Sequence, residues 1–296
     1  MMKNDFKNVS GELLVDYPLA KHTSWHVGGK AKQCYRPQNL ADLQIFLQQL
    51  SDVEPLTWLG LGSNVLIRDG GIDGTTILTL NRLNALSLEN NRIRAEAGVT
   101  CAKLSKFCVN HSFASGAFFA GIPGTVGGAL AMNAGAFGGE TWRYVEAVEM
   151  VNRAGEIIRR SPTEFHVQYR EVKRDPDEFF AAGIFCFPTG DINQGKENIR
   201  ELLQKRNSTQ PIGTFSCGSV FRNPEGDYAG RLVEKTGLKG YKLGNAQVSE
   251  VHANFILNNG QATAAQIEQL INYVREQVWQ HQGVQLNPEV HIIGKA

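Results

Sequence analysis

Between Gly121 and Glu140 the chain reads GIPGTVGGALAMNAGAFGGE, with glycine at 121, 124, 127, 128, 135, 138 and 139. Glycine in a regular element costs roughly 0.5–1 kcal/mol relative to alanine, so a run this dense needs a reason. Two are open. The run is either a string of tight turns, or a wall of backbone N–H groups facing an anionic group such as a pyrophosphate.

Two familiar phosphate-binding patterns are missing. Gly29-Lys30, Gly195-Lys196 and Gly294-Lys295 are followed by Ala, Glu and Ala, so none is a Walker A loop. Gly60-Leu61-Gly62 begins a Rossmann fingerprint, but Val65 stands at the sixth place, where glycine is required. Any nucleotide is held by another architecture.

The length of 296 residues predicts about two domains on the rule of roughly 150 residues each. With 42% hydrophobic and 20% charged residues, the chain can bury a real core. A formal charge of +1 leaves no electrostatic footprint for nucleic acid or an anionic membrane. The first twenty residues lack the apolar core of a signal peptide, and no apolar run is long enough to span a bilayer. Cys34, Cys101, Cys108, Cys186 and Cys217 are odd in number, far apart and without a CxxC pair. They fit a reduced, cytoplasmic protein. The histidines show no metal-ligand spacing, so no metal is expected.

Taken in order, Gly28-Gly29 predicts a turn, and Asn39 a cap for a helix carrying Leu40, Leu43, Phe46, Leu47 and Leu50. Strands are predicted at Leu56–Leu59 and Val65–Ile67. Between them Gly60-Leu61-Gly62-Ser63-Asn64 is either a glycine hairpin or a cradle of loop amides. Further strands are predicted at 75–80 and 92–97, and a helix over 100–113. A hairpin is predicted about Asn152-Arg153-Ala154-Gly155, and a strand over 183–187. The polar stretch 188–195 reads as a domain connector before a helix over 197–206. Thr263-Ala264-Ala265-Gln266 is a capping box for a helix bearing Ile267, Leu270, Ile271, Val274 and Val278. Val290, Ile292 and Ile293 predict a last short strand.

Several motifs recur in one order along almost the whole chain. They are Thr23-Ser24-Trp25 with Gly28-Gly29, Gly60-Leu61-Gly62-Ser63-Asn64, Gly121-Ile122-Pro123-Gly124, Gly127-Gly128 and Asn133-Ala134-Gly135-Ala136. Then follow Tyr169-Arg170, Gly218-Ser219-Val220-Phe221, His252-Ala253-Asn254-Phe255 and Asn287-Pro288-Glu289-Val290. In this set the chain resembles the UDP-N-acetylenolpyruvoylglucosamine reductase family, flavoenzymes of peptidoglycan synthesis. The resemblance implies an α+β fold. A two-subdomain FAD-binding domain of the vanillyl-alcohol-oxidase (PCMH) type would span residues 1–190, split near 68–72. A C-terminal α/β substrate-binding domain would span 196–289, and the tail 290–296 would return to the first subdomain. Length and the compact 183–195 region match the shorter form of the family, without the lid-tyrosine loop.

By the same resemblance, Arg170, Ser219 and Glu289 are the expected catalytic residues. FAD is expected at Trp25, Gly60, Gly62, Ser63, Asn64, Gly121, Pro123, Gly124, Gly127, Gly128, Asn133, Ala134 and Gly135. It is expected non-covalently, because Leu59–Leu66 contains no His or Cys for a tether. NADPH is the implied reductant. Arg206, Asn223, Tyr228 and Lys239 are expected to meet the UDP-sugar, UDP-N-acetylglucosamine enolpyruvate. The chemistry agrees with these residue types. Hydride addition to the terminal carbon of an enol ether conjugated to a carboxylate develops negative charge on the adjacent carbon and the carboxylate. The site needs a cationic grip and a proton source. Arg170 supplies a planar fork, Ser219 a proton, and Glu289 a stabilising contact. His252 reads as structural or functional. The expected partner is a small molecule, with no nucleic acid, membrane or second chain. Two rival readings stand: a related flavin oxidase of a small alcohol or sugar acid, and a non-catalytic binding protein.

Overall fold

The computed structural model describes residues 6–296, so the first five residues of the expected N-terminal domain lie outside the described residues. The chain forms two compact units whose segments alternate along the sequence. One holds the chain up to Val15, Gln33–Gly60 and Gly74–Lys205. The other holds Asp16–Lys32, Leu61–Asp73 and Arg206–Ala296.

In the first unit a five-stranded antiparallel sheet runs in the order Ile157–Arg160, Val145–Asn152, Glu178–Cys186, Arg92–Glu96, Leu86–Glu89. The predicted hairpin joins the first two strands, with Gly155 at φ 75°. The strand Glu178–Cys186 is buried along all but its last residue. It starts five residues before the predicted Gly183, because a fully buried strand carries no alternation to mark its ends. Helices Cys101–Asn110 and Val126–Met132 begin at Thr100 and Thr125, whose hydroxyls accept from Lys103 and Gly128 N–H. Leu104, Val126 and Leu130 share one core with Ile93, Val148, Met150 and Phe185. A second cluster joins Leu43, Phe46 and Leu47 of helix Leu40–Gln48 to Leu13, Tyr35 and Ile77. Buried Asp42 organises that corner. It accepts hydrogen bonds from Tyr35 Oη at 2.6 Å and from the N–H groups of Ser10 and Gln38 at 2.5 and 2.8 Å.

The stretch 188–195 runs without regular structure as far as Asp191 and then enters a helix. Asp191 Oδ1 accepts from Gln194 N–H at 2.7 Å and starts the helix Ile192–Thr209 five residues ahead of the predicted position. Gly195 is buried inside that helix, where a Cβ would lie 2.9 Å from Val109 Cγ1. The glycine signals close packing rather than a linker.

The second unit has a three-stranded antiparallel sheet, Lys242–Leu243, Ala246–Val248 and Ile256–Asn258. Its long helix, Ala264–Gln282, opens with the predicted capping box. Asp69 adds to it, accepting from Ala264 and Ala265 N–H at 3.0 and 2.9 Å, which also places a negative charge at the positive end of the helix. Ile267, Leu270, Ile271, Val274 and Val278 form its buried stripe. The tail strand His291–Ile293 pairs in parallel with Val65–Ile67, and Arg68 grips Glu268 through two hydrogen bonds of 2.8 Å. These contacts gather 61–73, the tail and the long helix into one unit. The compact units therefore divide the chain differently from the boundaries expected near 68–72, 190–196 and 290.

Candidate active site

The glycine run of the first unit separates into three kinds of residue. Gly121, Gly127 and Gly139 are packing glycines. A Cβ at Gly121 would lie 2.8 Å from Ala136 Cβ, at Gly127 2.8 Å from Ala97 Cβ, and at Gly139 2.5 Å from the Phe118 ring. Gly138 is a turn glycine, at φ 84°. Gly128 is neither. It is exposed, its φ is ordinary, and the only neighbour a Cβ would meet is Thr125 Oγ1 at 3.8 Å. Beside it Pro123 is exposed and Gly124 half-buried. Helix Val126–Met132 thus carries one glycine for packing on its inner side and one with open space before it. Of the expected cofactor contacts in this run, Gly127 uses its N–H within the fold, donating to Ala97 O at 2.9 Å.

Asn133 ends that helix in the left-handed conformation, at φ 42°. Its side chain is 3% exposed and fully engaged. Oδ1 accepts from Trp142 N–H at 3.1 Å, and Nδ2 donates to Glu140 Oε2 and Gln168 O at 3.3 and 3.2 Å. Ala134 uses its N–H on Ala129 O and its carbonyl on Thr141. Both were expected at the cofactor. Their polar groups are used within the fold, and the backbone carbonyl of Asn133, together with that of Gly135, holds Arg170. The guanidinium donates to Asn133 O at 3.3 Å and Gly135 O at 2.9 Å. Arg170 sits in the two-residue turn between the strands His166–Gln168 and Glu171–Lys173, at φ 58°. A non-glycine residue held there costs of order 1–3 kcal/mol, strain that clusters at functional sites.

The second unit assembles a separate set. Gly62 stands at φ 68°, and its carbonyl accepts from Ser24 N–H at 3.0 Å and from the Cys217 thiol at 3.5 Å. Burial pushes that thiol up to about 12, so it stays a donor. Gly218, at φ 72°, turns the chain into Ser219, which is half-buried. The next residue, Val220, accepts from Glu289 N–H at 2.7 Å through its carbonyl. Asn64 Nδ2 donates to Glu289 O at 3.0 Å, and Asn64 O accepts from His291 N–H at 3.0 Å. Three stretches far apart in sequence, 61–64, 217–220 and 289–291, are thus brought together. Trp25 is not part of this set as a side chain. It is 0% exposed, and its indole N–H donates to Ile256 O at 2.7 Å, so it is a core residue of this unit.

Comparison with known proteins decides the family. A family model described as FAD binding domain matches residues 31–161, and one described as UDP-N-acetylenolpyruvoylglucosamine reductase, C-terminal domain, matches residues 210–293. A curated UDP-N-acetylenolpyruvoylglucosamine reductase of Coxiella burnetii (strain Dugway 5J108-111) is 61% identical over 316 aligned positions, covering 100% of both chains. The chain belongs to the UDP-N-acetylenolpyruvoylglucosamine reductase family. A second relative of that name, from Alkalilimnicola ehrlichii, is 54% identical, with 100% of this chain and 99% of the other covered. The crystal structure of the Thermus caldophilus reductase superposes with a TM-score of 0.82 at 28% identity, over 96% of this chain and 99% of that one.

As a member of that family the chain is a flavoprotein oxidoreductase of α+β fold, and FAD is its cofactor. The exposed backbone at Gly128 fits such a group: it is an open surface that any side chain would begin to fill. Gly60 is a packing glycine, since a Cβ there would clash with Thr125 Oγ1, the cap of the same helix. Among the described residues no helix is long and apolar enough to cross a membrane.

The residues expected at the sugar nucleotide lie in the second unit. Arg206 is half-buried, and burial alone pulls its pKa below the ordinary arginine value. Its Nε donates to Gln210 Oε1 at 3.3 Å. Asn223 Oδ1 accepts from Ala229 N–H at 3.1 Å, at the start of helix Ala229–Lys235. Tyr228, at the same start, is 69% exposed. Lys239 follows the helix and pairs with Glu234 at 3.1 Å. Sequence reasoning missed two residues. Thr125 caps the glycine helix, a role signalled by Thr125-Val126-Gly127-Gly128. Asn254 is 4% exposed and bonds to Phe221 through both ends of its amide; the His252-Ala253-Asn254-Phe255 motif marked the place but not the job.

Proposed function

We propose that this chain is an NADPH-dependent reductase that converts UDP-N-acetylglucosamine enolpyruvate to UDP-N-acetylmuramate, working as a monomer in the cytoplasm. The reading is carried by one observation, the 2.7 Å hydrogen bond from Glu289 N–H to Val220 O, which joins the segments bearing Ser219 and Glu289. FAD held at the cofactor contacts assigned below would, when reduced by NADPH, be the source of hydride for the terminal enolpyruvyl carbon.

Arg170 grips the substrate carboxylate. Two backbone carbonyls fix its guanidinium plane, so a cation is in position before charge develops, the arrangement that lowers a barrier most. Ser219 gives its proton to the carbon next to the carboxylate, and that carbon becomes the stereocentre of the lactyl ether. A serine hydroxyl is a weak acid, but its partner here is an enolate-like carbon and geometry outweighs pKa. Glu289 completes the stabilisation beside it. Arg206 is suited to the pyrophosphate, because an anion relieves a cation held in partial burial. Asn223, Tyr228 and Lys239 meet the rest of the UDP-sugar. Cofactor contacts are assigned to Gly60, Gly62, Ser63, Asn64, Gly121, Pro123, Gly124, Gly128 and Gly135. Cofactor binding is assigned to 1–190 with the tail, and substrate binding to 196–289.

An anaerobic titration tests the proposal. NADPH should bleach the bound flavin, and UDP-N-acetylglucosamine enolpyruvate should then restore its colour with one product formed per flavin. Bleaching without restoration would rule out the substrate. Restoration by a small alcohol's oxidised product instead would favour an oxidase relative.

A further inference from the structure

The segment carrying Ser219 is held from both sides, and the side away from Glu289 has no part in the chemistry described above. There, Asn254 uses three of its polar groups on two consecutive residues. Its carbonyl accepts from Val220 N–H at 2.8 Å, Oδ1 accepts from Phe221 N–H at 2.9 Å, and Nδ2 donates to Phe221 O at 2.8 Å. Its own backbone N–H donates to His252 Nδ1 at 3.2 Å. On the opposite edge Glu289 N–H meets Val220 O and Arg222 N–H donates to Asn287 O at 2.9 Å, with a bridge between Phe221 and Pro288. Val220 is therefore pinned through its N–H by Asn254 and through its carbonyl by Glu289. Ser219 is the residue just before it, preceded by Gly218 at φ 72°, so the rigid end of its peptide is the Val220 end.

We propose that Asn254 is a positioning residue for proton transfer: its amide sets the register of Val220-Phe221 against Glu289, and so the direction of the Ser219 hydroxyl. The inference rests on the reading of Ser219 as proton donor. A side-chain amide is the suitable group because it offers an acceptor and a donor side by side, matching the N–H and C=O of one residue as a strand edge would. The isosteric carboxylate keeps the acceptor and loses the donor, setting an oxygen against the Phe221 carbonyl. A displacement of about 1 Å in a reacting group is enough to cost on the order of 10²-fold in rate.

The test compares Asn254→Asp and Ser219→Ala with the parent holoenzyme by stopped-flow flavin absorbance, following the two half-reactions separately. Asn254→Asp should leave flavin reduction by NADPH within about twofold and slow reoxidation by the enolpyruvyl sugar by about 30- to 100-fold, at full amplitude. A folding defect would lower the amplitude, not the rate constant. Its solvent deuterium isotope effect on reoxidation should rise above the parent's, as proton transfer comes to limit the step. Unchanged reoxidation, or equal slowing of both half-reactions, overturns the proposal. If Ser219→Ala itself slows both half-reactions equally, the donor reading has failed, not the positioning alone. Should Asn254→Asp not fold, native-state hydrogen exchange on the parent decides. The Val220 and Phe221 amides must then be protected as strongly as those of the core helix Ala264–Gln282, and rapid exchange at either overturns the clamp.

Discussion

Gly127 and Gly128 are neighbours in one helix, yet substitution by alanine should act on them in opposite ways. Replacing a helical glycine by alanine gains about 0.8–1 kcal/mol of intrinsic propensity. At Gly128 nothing offsets that gain, since the new Cβ meets only Thr125 Oγ1 at 3.8 Å. FAD-free Gly128→Ala should be more stable by about 1 kcal/mol, a rise of roughly 2–4 °C in Tm. At Gly127 the Cβ would lie 2.8 Å from Ala97 Cβ and 3.2 Å from Ala97 O, well inside the carbon–carbon optimum of about 3.5–4.0 Å. Ala97 is tied to Ala181 O by its own N–H at 2.8 Å and yields little. Overpacking of this kind costs about 1–3 kcal/mol, so Gly127→Ala should lose about 1 kcal/mol net. Cofactor binding should invert the order. Gly128→Ala puts a methyl on the open face and should weaken FAD at least tenfold, about 1.4 kcal/mol, while Gly127→Ala should bind FAD as the parent does. Urea unfolding of the FAD-free proteins and flavin-fluorescence titration read the two quantities. A Gly128→Ala protein that gains stability and keeps full FAD affinity would show that the open face is plain surface.

Three further outcomes are expected. Ser219→Ala should retain FAD and its reduction by NADPH while reoxidation by the enolpyruvyl sugar falls by several orders of magnitude; equal loss in both steps would return the hydroxyl to a shaping role. Arg170→Lys should slow that same reoxidation by about 10²–10³-fold, because an ammonium cannot reproduce a planar two-point grip; a raised KM with an unchanged rate at saturation would place Arg170 in substrate recognition instead. Burial pushes the Asp42 carboxyl up, but hydrogen bonds from Tyr35 and from Gln38, Ser10 and Gly11 N–H outweigh it and hold the pKa below the ordinary value. A depressed carboxylate gives stability that is full above its unfolded pKa of about 4 and is lost as pH falls through the folded value. Asp42→Asn should therefore cost about 2–3 kcal/mol near neutral pH, and the difference from the parent should shrink in acid; a constant difference down to pH 2 would refute it.

Much of the local structure was legible because its causes are local. Asn39, Thr100 and Thr263 cap their helices within three or four residues of themselves, and the Asn152–Gly155 turn needs only its own φ values. The order of motifs along the chain likewise named the family and its cofactor before any contact was known. What sequence left open were matters of packing between distant segments. The loop Gly60–Asn64 taken alone read as a hairpin or a cradle, yet Leu56–Leu59 pairs in parallel with residues 75–78, while Val65–Ile67 pairs with the tail at 291–293. A hairpin was excluded by partners that lie as far as 226 positions away along the chain (291 − 65), and no local propensity encodes such a choice. The seven glycines looked alike as letters; only their neighbours separate those that admit Ala97, Ala136 or Phe118 from Gly128, the helical glycine with open space before it. Trp25 and Asn133 carried the family signature, but their polar groups turn inward because a buried N–H or amide must find a partner within the fold. Sequence determined which helices and turns can form and which chemistry the chain carries. Tertiary structure decided which of the matching residues remain turned outward to perform it, because that depends on how each backbone and side-chain polar group is satisfied by residues remote in the chain.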